Sequence, residues 1–286
     1  MSFRIGKRTV QLAHGFRGAL RGELADAIKE LDLSSRSPRA ARIHNARRRM
    51  KKVRSAFRLL EAASFPGVSR IDHDLLRDAS AEVAASRGAD ANLGVLKKLC
   101  DDSGSDRLRF ARIFAALEKE KLTVSHGTTA GMHKASTLLK GALSRIDAWD
   151  DGSIEWNKVL SGMEHLYKRA RAACRKASDE TTAENLHKWR KCAKDIYNGL
   201  KLAGDEDSKK IRRLSRHMKK LGTLLGADHD LAILREALDQ HRIGKEKAVI
   251  EKLIAEHRRG VQDKALKLGA KYFSRKPAAF IECIEN

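Results

Sequence analysis

The sequence predicts an all-α protein built as two pseudo-twofold-related antiparallel helical bundles. Apolar residues recur at helical spacing through most of the 286 residues, and no period-2 alternation with β-branched enrichment appears. Only three prolines occur, Pro38, Pro66 and Pro277, so little interrupts the i to i−4 hydrogen-bond ladder. An internal repeat supplies the duplication: Ile43-His44-Asn45-Ala46-Arg47-Arg48-Arg49-Met50-Lys51 is answered by Leu186-His187-Lys188-Trp189-Arg190-Lys191-Cys192-Ala193-Lys194.

Taken in order, the first helix carries Arg17 and Arg21, which Tyr167 and Arg171 answer in the second half. Ser34-Ser35-Arg36-Ser37-Pro38 opens the first basic helix with cap-type residues and a proline suited to the first turn. On that helix His44, Arg47, Arg48 and Lys51 fall within an arc of about 100°, while Ala46, Met50, Val53, Phe57 and Leu60 form the opposite, core-directed stripe. Breaks are expected at Phe65-Pro66-Gly67 and Asp101-Asp102-Ser103-Gly104, and a helical connector over 123–152 separates a first half, 1–122, from a second, 153–286. Within it, Asp150-Asp151-Gly152-Ser153 marks another break. Ser178-Asp179-Glu180-Thr181-Thr182 caps the second basic helix, where His187, Arg190, Lys191 and Lys194 share one arc and Trp189, Ala193, Ile196, Leu200 and Ala203 face the core. Breaks follow at Gly204-Asp205-Glu206-Asp207 and Arg242-Ile243-Gly244. A second echo matches Gly88-Ala89-Asp90-Ala91-Asn92-Leu93 to Gly226-Ala227-Asp228-His229-Asp230-Leu231, each read as a cap opening a helix. The tryptophans Trp149, Trp156 and Trp189 sit at apolar helical positions and read as core.

Composition narrows the function. A 42% apolar content suffices for a core, and a net charge of +22 is large enough to demand an anionic partner, because self-repulsion on that scale opposes compaction. No apolar signal core opens the chain and no apolar run is long enough to span a bilayer, so a cytoplasmic protein with no membrane partner is expected. Cys100, Cys174, Cys192 and Cys283 are scattered without metal-site spacing, which suits reduced thiols and no bound metal or cofactor.

At its two His-x-x-Arg-x-x-x-Lys helices the chain resembles the CHAD family, named for a conserved histidine in an α-helical domain, over roughly Lys7 to Phe280. The resemblance implies one CHAD-type domain over 1–286 that binds inorganic polyphosphate in a basic cleft between two helical bundles, with association to polyphosphate granules as in some members. His44, Arg47, Lys51, Lys52 and Arg54 stand where the family pattern places its histidine and basic residues, as do His187, Arg190, Lys191 and Lys194. Asp195 and Tyr197 occupy positions that the pattern gives to basic residues, which implies a weaker grip by the second helix. The Gly-Ala-Asp echo is similar to the family's acidic motif after the third helix.

The residue types suit that ligand. Polyphosphate carries charge at every unit and has no bases, so its receptor needs rows of donors: Arg as a bidentate fork, Lys as a mobile point charge. The expected groove joins both basic faces and is extended by Arg8, Arg17, Arg21, Lys168 and Arg171. Surrounding cations should keep His44 and His187 neutral until a polyanion arrives, so binding should take up protons. A single basic helix face is most often only solvated surface, and it is the duplication with the histidine in register that argues for a ligand.

Two other classes compete. The same charge attracts nucleic acid, but aromatics make up only 5% of the chain and few Asn or Gln lie on the cationic arcs, so only weak, non-specific phosphate contact is expected. Asp72-His73-Asp74 and Asp228-His229-Asp230 raise a metal-dependent phosphohydrolase, against which stands the repulsion of a cation by the arginines around His44. With no Walker-type loop, Ser-His-Asp order or nucleophilic Cys context, a non-catalytic binding module is expected.

Overall fold

A computed structural model describes residues 12–34, 37–124, 128–149, 155–203, 208–241 and 244–285. Among them are eleven α-helices, one short 3-10 turn and no strand. Arg8 and the breaks expected at 150–153 and 204–207 lie outside the described residues, as do Arg242 and Ile243.

Helices α1 (Leu12–Glu30), α2 (Arg39–Ala62) and α3 (Arg70–Glu82) pack with α6 (Thr128–Asp147) into one bundle. In the second, α7 (Trp156–Asp179), α8 (Ala183–Ala203), α9 (Lys209–Asp239) and α10 (Glu246–Phe273) pack in sequence, with α11 (Pro277–Glu285) on α7 and α9. The remaining pair, α4 (Ala85–Ser103) and α5 (Ala111–Val124), forms a hairpin that reaches across to lay α4 on α9 and α10. The packing therefore divides differently from the expected halves: α6, inside the expected connector, belongs to the first bundle, and the α4–α5 hairpin leans on the second. The physical reason is burial. Met132, Ala135, Leu139, Ala142 and Ile146 of α6 are fully buried in the main hydrophobic cluster, whereas Leu96, Leu99, Ile113 and Leu117 form a second cluster with Leu231, Leu234, Leu238 and Ile250.

The core stripes fall where helical periodicity places them. Ala46, Met50, Val53, Phe57 and Leu60 of α2 are buried, as are Trp189, Ala193, Ile196, Leu200 and Ala203 of α8. Trp149 is buried too, and Trp156 packs partly exposed against the same cluster. Helix α2 crosses to the second bundle and touches both α7 and α8. Gly162 permits that approach, because a Cβ there would stand 2.8 Å from the Leu59 carbonyl oxygen and 3.2 Å from the Ala63 nitrogen.

Helix starts are less regular than the sequence suggests. Pro38 is the N-cap of α2 rather than its first helical residue, and no side chain caps it. The Arg42 guanidinium instead bonds the carbonyl oxygens of Glu30 and Asp32, tying the end of α1 to the start of α2. Thr182 does cap α8, accepting from the Asn185 N–H at 3.2 Å. The Gly-Ala-Asp echo opens no helix in the second half: Gly226-Ala227-Asp228 lies inside α9, which continues through it. Of Gly88, Ala89 and Asp90 only the backbone is described, within α4.

Candidate functional site

The basic faces of α2 and α8 meet where the bundles touch. A turn of 100° per residue places Arg47, Lys51, Arg54 and Arg58 within an arc of about 60° on α2, and His187, Arg190, Lys191 and Lys194 within about 100° on α8. These eight residues line one cavity of about 360 Å³, closed by Asn92 and Val95 of α4 and by His229, Asp230 and Ile233 of α9. Seven basic and two acidic side chains line it, a net of five positive charges with the imidazoles neutral. Among the described residues no Phe, Tyr or Trp contributes to the lining.

The cavity floor is a buckle between the bundles. Asp195, only 4% exposed, accepts from Ser55 Oγ and from Arg58 Nη1, each at 2.8 Å, while Asn198 Nδ2 donates to Ser55 Oγ at 2.9 Å. Burial pushes the Asp195 carboxyl above the usual carboxylate range, against the opposing pull of Arg58 and Ser55. Burial, and next the neighbouring Arg58, lowers the Arg54 guanidinium. Arg47 Nη1 donates to the Ser80 carbonyl at 2.7 Å, so the last turn of α3 steadies that side chain.

His187 and His229 lie tilted against each other in the wall, with ring centroids 4.2 Å apart and an interplanar angle of 37°. Both are lowered to about 4, first by burial, then for His187 by the His229 ring and for His229 by Arg190, with Lys191 and Lys51 adding to the effect and Asp228 opposing it at His229. His187 Nδ1 is buried with no hydrogen-bond partner among the described residues. Beneath His229, buried Asp228 accepts from Arg258 Nε at 2.9 Å and Gln262 Nε2 at 2.7 Å, which anchors α9 to α10.

A second cavity, of about 480 Å³, lies on the other side of Arg190 and Lys194, which line both. Tyr197, on the edge of the α8 basic arc, faces this second space.

The other residues expected in the groove point elsewhere. Lys52 is turned toward α1, where its ammonium meets Glu23 at 2.6 Å. Arg17 donates to the Trp149 carbonyl at 3.2 Å, Arg21 pairs with Asp147 at 2.9 Å, Lys168 pairs with Glu164 at 2.8 Å, and Arg171 donates to the Phe273 carbonyl at 2.9 Å. His44 and Arg48 are exposed on α2 and line neither cavity, so the histidine beside His187 is His229 rather than its repeat partner. Arg58 extends the row Lys51, Arg54 by one turn, a signal that helical spacing carries. Ser55, Asn198 and His229 have no such signal and are recruited by packing alone.

The tripeptide around His73 has a structural role. Asp72 closes a capping box with Ser69 at the start of α3 and takes Arg145 Nε at 2.6 Å. Burial alone would raise its carboxyl, but the bonds from Arg145 and Ser69 outweigh this and hold it below the usual range. His73 rests edge-on against Phe57. Among the described residues no His, Cys, Asp and Glu cluster has the makings of a metal site. No helix among them is long and apolar enough to cross a membrane.

Comparison with known proteins agrees with the all-helical fold. A family model described as the CHAD domain matches residues 18–239, more than three quarters of the chain. The crystal structure of the CHAD domain from the plant Ricinus communis is similar with a TM-score of 0.65 at 16% identity, covering 100% of this chain and 95% of the plant chain. No match was found among curated proteins.

Proposed function

The chain belongs to the CHAD domain family, and we propose that it binds inorganic polyphosphate without catalysing its turnover. One observation carries this reading: seven Arg and Lys side chains from α2 and α8 converge on one cavity whose lining, among the described residues, has no Phe, Tyr or Trp. Such a lining answers a ligand that is charged along its whole length and has nothing to stack. Burial supplies the driving force, since cations crowded in a partly desolvated cleft repel one another until an anion enters. The two helices face each other across the cavity, and the same grip suits tethering to polyphosphate granules.

The experiment is a double charge reversal, Arg47→Glu with Arg190→Glu, followed by titration with long-chain polyphosphate. Affinity should fall at least a hundredfold with the helical circular-dichroism signal unchanged; retained affinity would refute the cavity as the site. With about seven cations engaged, the log–log salt slope should approach −5, by analogy with single-stranded nucleic acids. Competition separates the nucleic-acid reading: that reading wins if duplex DNA displaces polyphosphate at equal phosphate concentration.

A further inference from the structure

The second cavity has a chemistry that inorganic polyphosphate does not use. It begins at Arg190 and Lys194, which with Val95 and Asp230 line both cavities, and continues into a mainly apolar interior with the exposed Lys98 and Lys219 at its margin. It sits at the seam of the two hydrophobic clusters: Met218 comes from the larger, Leu99 and Leu231 from the smaller, and the partly buried Tyr197 packs against the larger. Gly222 and Gly226, one turn apart on α9, keep this wall flat. A Cβ at Gly222 would lie 3.5 Å from Lys194 Cγ, and one at Gly226 would lie 3.4 Å from Arg190 Nε, so both long side chains lie close along the helix. Two carboxylates, Asp230 and the half-exposed Asp102, also line it, the latter 4.0 Å from His257, which lines the cavity too.

This mixture selects among ligands. A phosphate strand has no apolar surface to place on Tyr197, Met218 or Leu231, and an alkyl chain would leave Arg190, Lys194 and the half-buried Asp230 facing hydrocarbon without a hydrogen bond from the ligand. A nucleoside has flat apolar faces and hydrogen-bonding edges, and its phosphates extend from one end. We propose that the second cavity takes the base and sugar of a nucleoside polyphosphate, whose phosphates run across Arg190 and Lys194 into the cationic cavity. A volume of about 480 Å³ falls within the range of small-ligand sites. The phosphate half of this inference rests on the polyphosphate reading; the nucleoside half rests on the second cavity alone.

Calorimetric titration with ATP and with inorganic tripolyphosphate, without metal and at one ionic strength, tests it. Charge alone makes tripolyphosphate the tighter ligand, because it has as many phosphates and no neutral end group. ATP is expected to bind about tenfold more tightly, the scale of one base stacked on an aromatic ring. Tyr197→Ala should abolish that advantage and leave tripolyphosphate binding unchanged. Thr223→Trp, at an exposed position on the cavity rim, should do the same without touching the core. The inference is overturned if ATP binds no more tightly than tripolyphosphate, or if both variants weaken the two ligands equally. If long polyphosphate, tripolyphosphate and ATP all fail to bind, the proposed function falls as well; if only the ATP advantage is missing, that function stands.

Discussion

Polyphosphate binding should tighten as pH falls from 7 to 5, because His187 and His229 are held neutral at about 4 in the empty cavity. Burial is the main cause, and a polyanion beside them opposes it and the repulsion from Arg190, Lys191 and Lys51, while Asp228 on α9 already favours the charged His229 ring. If binding returns one imidazole to its ordinary value of about 6.5, linkage gives about a twentyfold gain in affinity between pH 7 and pH 5. Two independent protons would give several hundredfold, but rings with centroids 4.2 Å apart repel when both are charged, so the single-proton figure is the expectation. Isothermal titration in buffers of different ionisation enthalpy reads both the affinity and the protons taken up. Long chains are needed so that titrating end groups are few. The free protein carries the opposite sign: with folded values below the unfolded one, these histidines cost no stability above about pH 6.5 and cost progressively more as pH falls toward 4. His187→Asn and His229→Asn should each reduce the proton uptake. Affinity independent of pH from 7 to 5, or a pH slope untouched by both substitutions, would refute the reasoning.

Two further outcomes follow from the same contacts. Asp195→Asn keeps an oxygen to accept from Ser55 and Arg58 and removes a carboxylate whose burial cost outweighs their pull, so the melting temperature at pH 7 should fall by no more than about 2 °C. The salt slope for polyphosphate should meanwhile steepen by about 0.7 as the cavity gains one positive charge; an unchanged slope in binding titrations would argue against contact with the floor. Gly162→Ala should lower stability by about 1–3 kcal/mol despite the better helix propensity of alanine, since its Cβ would be forced to within 2.8 Å of the Leu59 carbonyl. A raised melting temperature in calorimetry would show that α2 and α7 are not in close contact.

Part of the site was legible because a helix fixes angles between residues near in sequence. Arg47, Lys51 and Arg54, and likewise His187, Arg190, Lys191 and Lys194, sit on one arc of their helices whatever the fold, and they reach the cavity together. Lys52 shows the limit of that argument: three or four positions decide an arc, but the direction that arc faces is set by the neighbour, and Glu23 of α1 claims its ammonium. Arg17, Arg21 and Arg171 were placed by analogy between first helices, and no local geometry links those positions to α2 or α8. The Gly-Ala-Asp echo was misleading as a cap, because long-range packing carries α9 through a glycine that isolated propensity would treat as a stop.

Composition, helical periodicity and the repeated basic motif thus determined the all-α class, the core stripes of α2 and α8, and two cationic faces in need of an anion; these are local properties, written at spacings of three and four residues. Tertiary structure alone decided that the faces converge, that Asp195 buckles them through Ser55 and Arg58, that His229 and not His44 stands beside His187, and that an apolar chamber opens past Arg190 and Lys194. Each of these joins residues dozens of positions apart, and which of them meet depends on how whole helices share the burial of their apolar stripes.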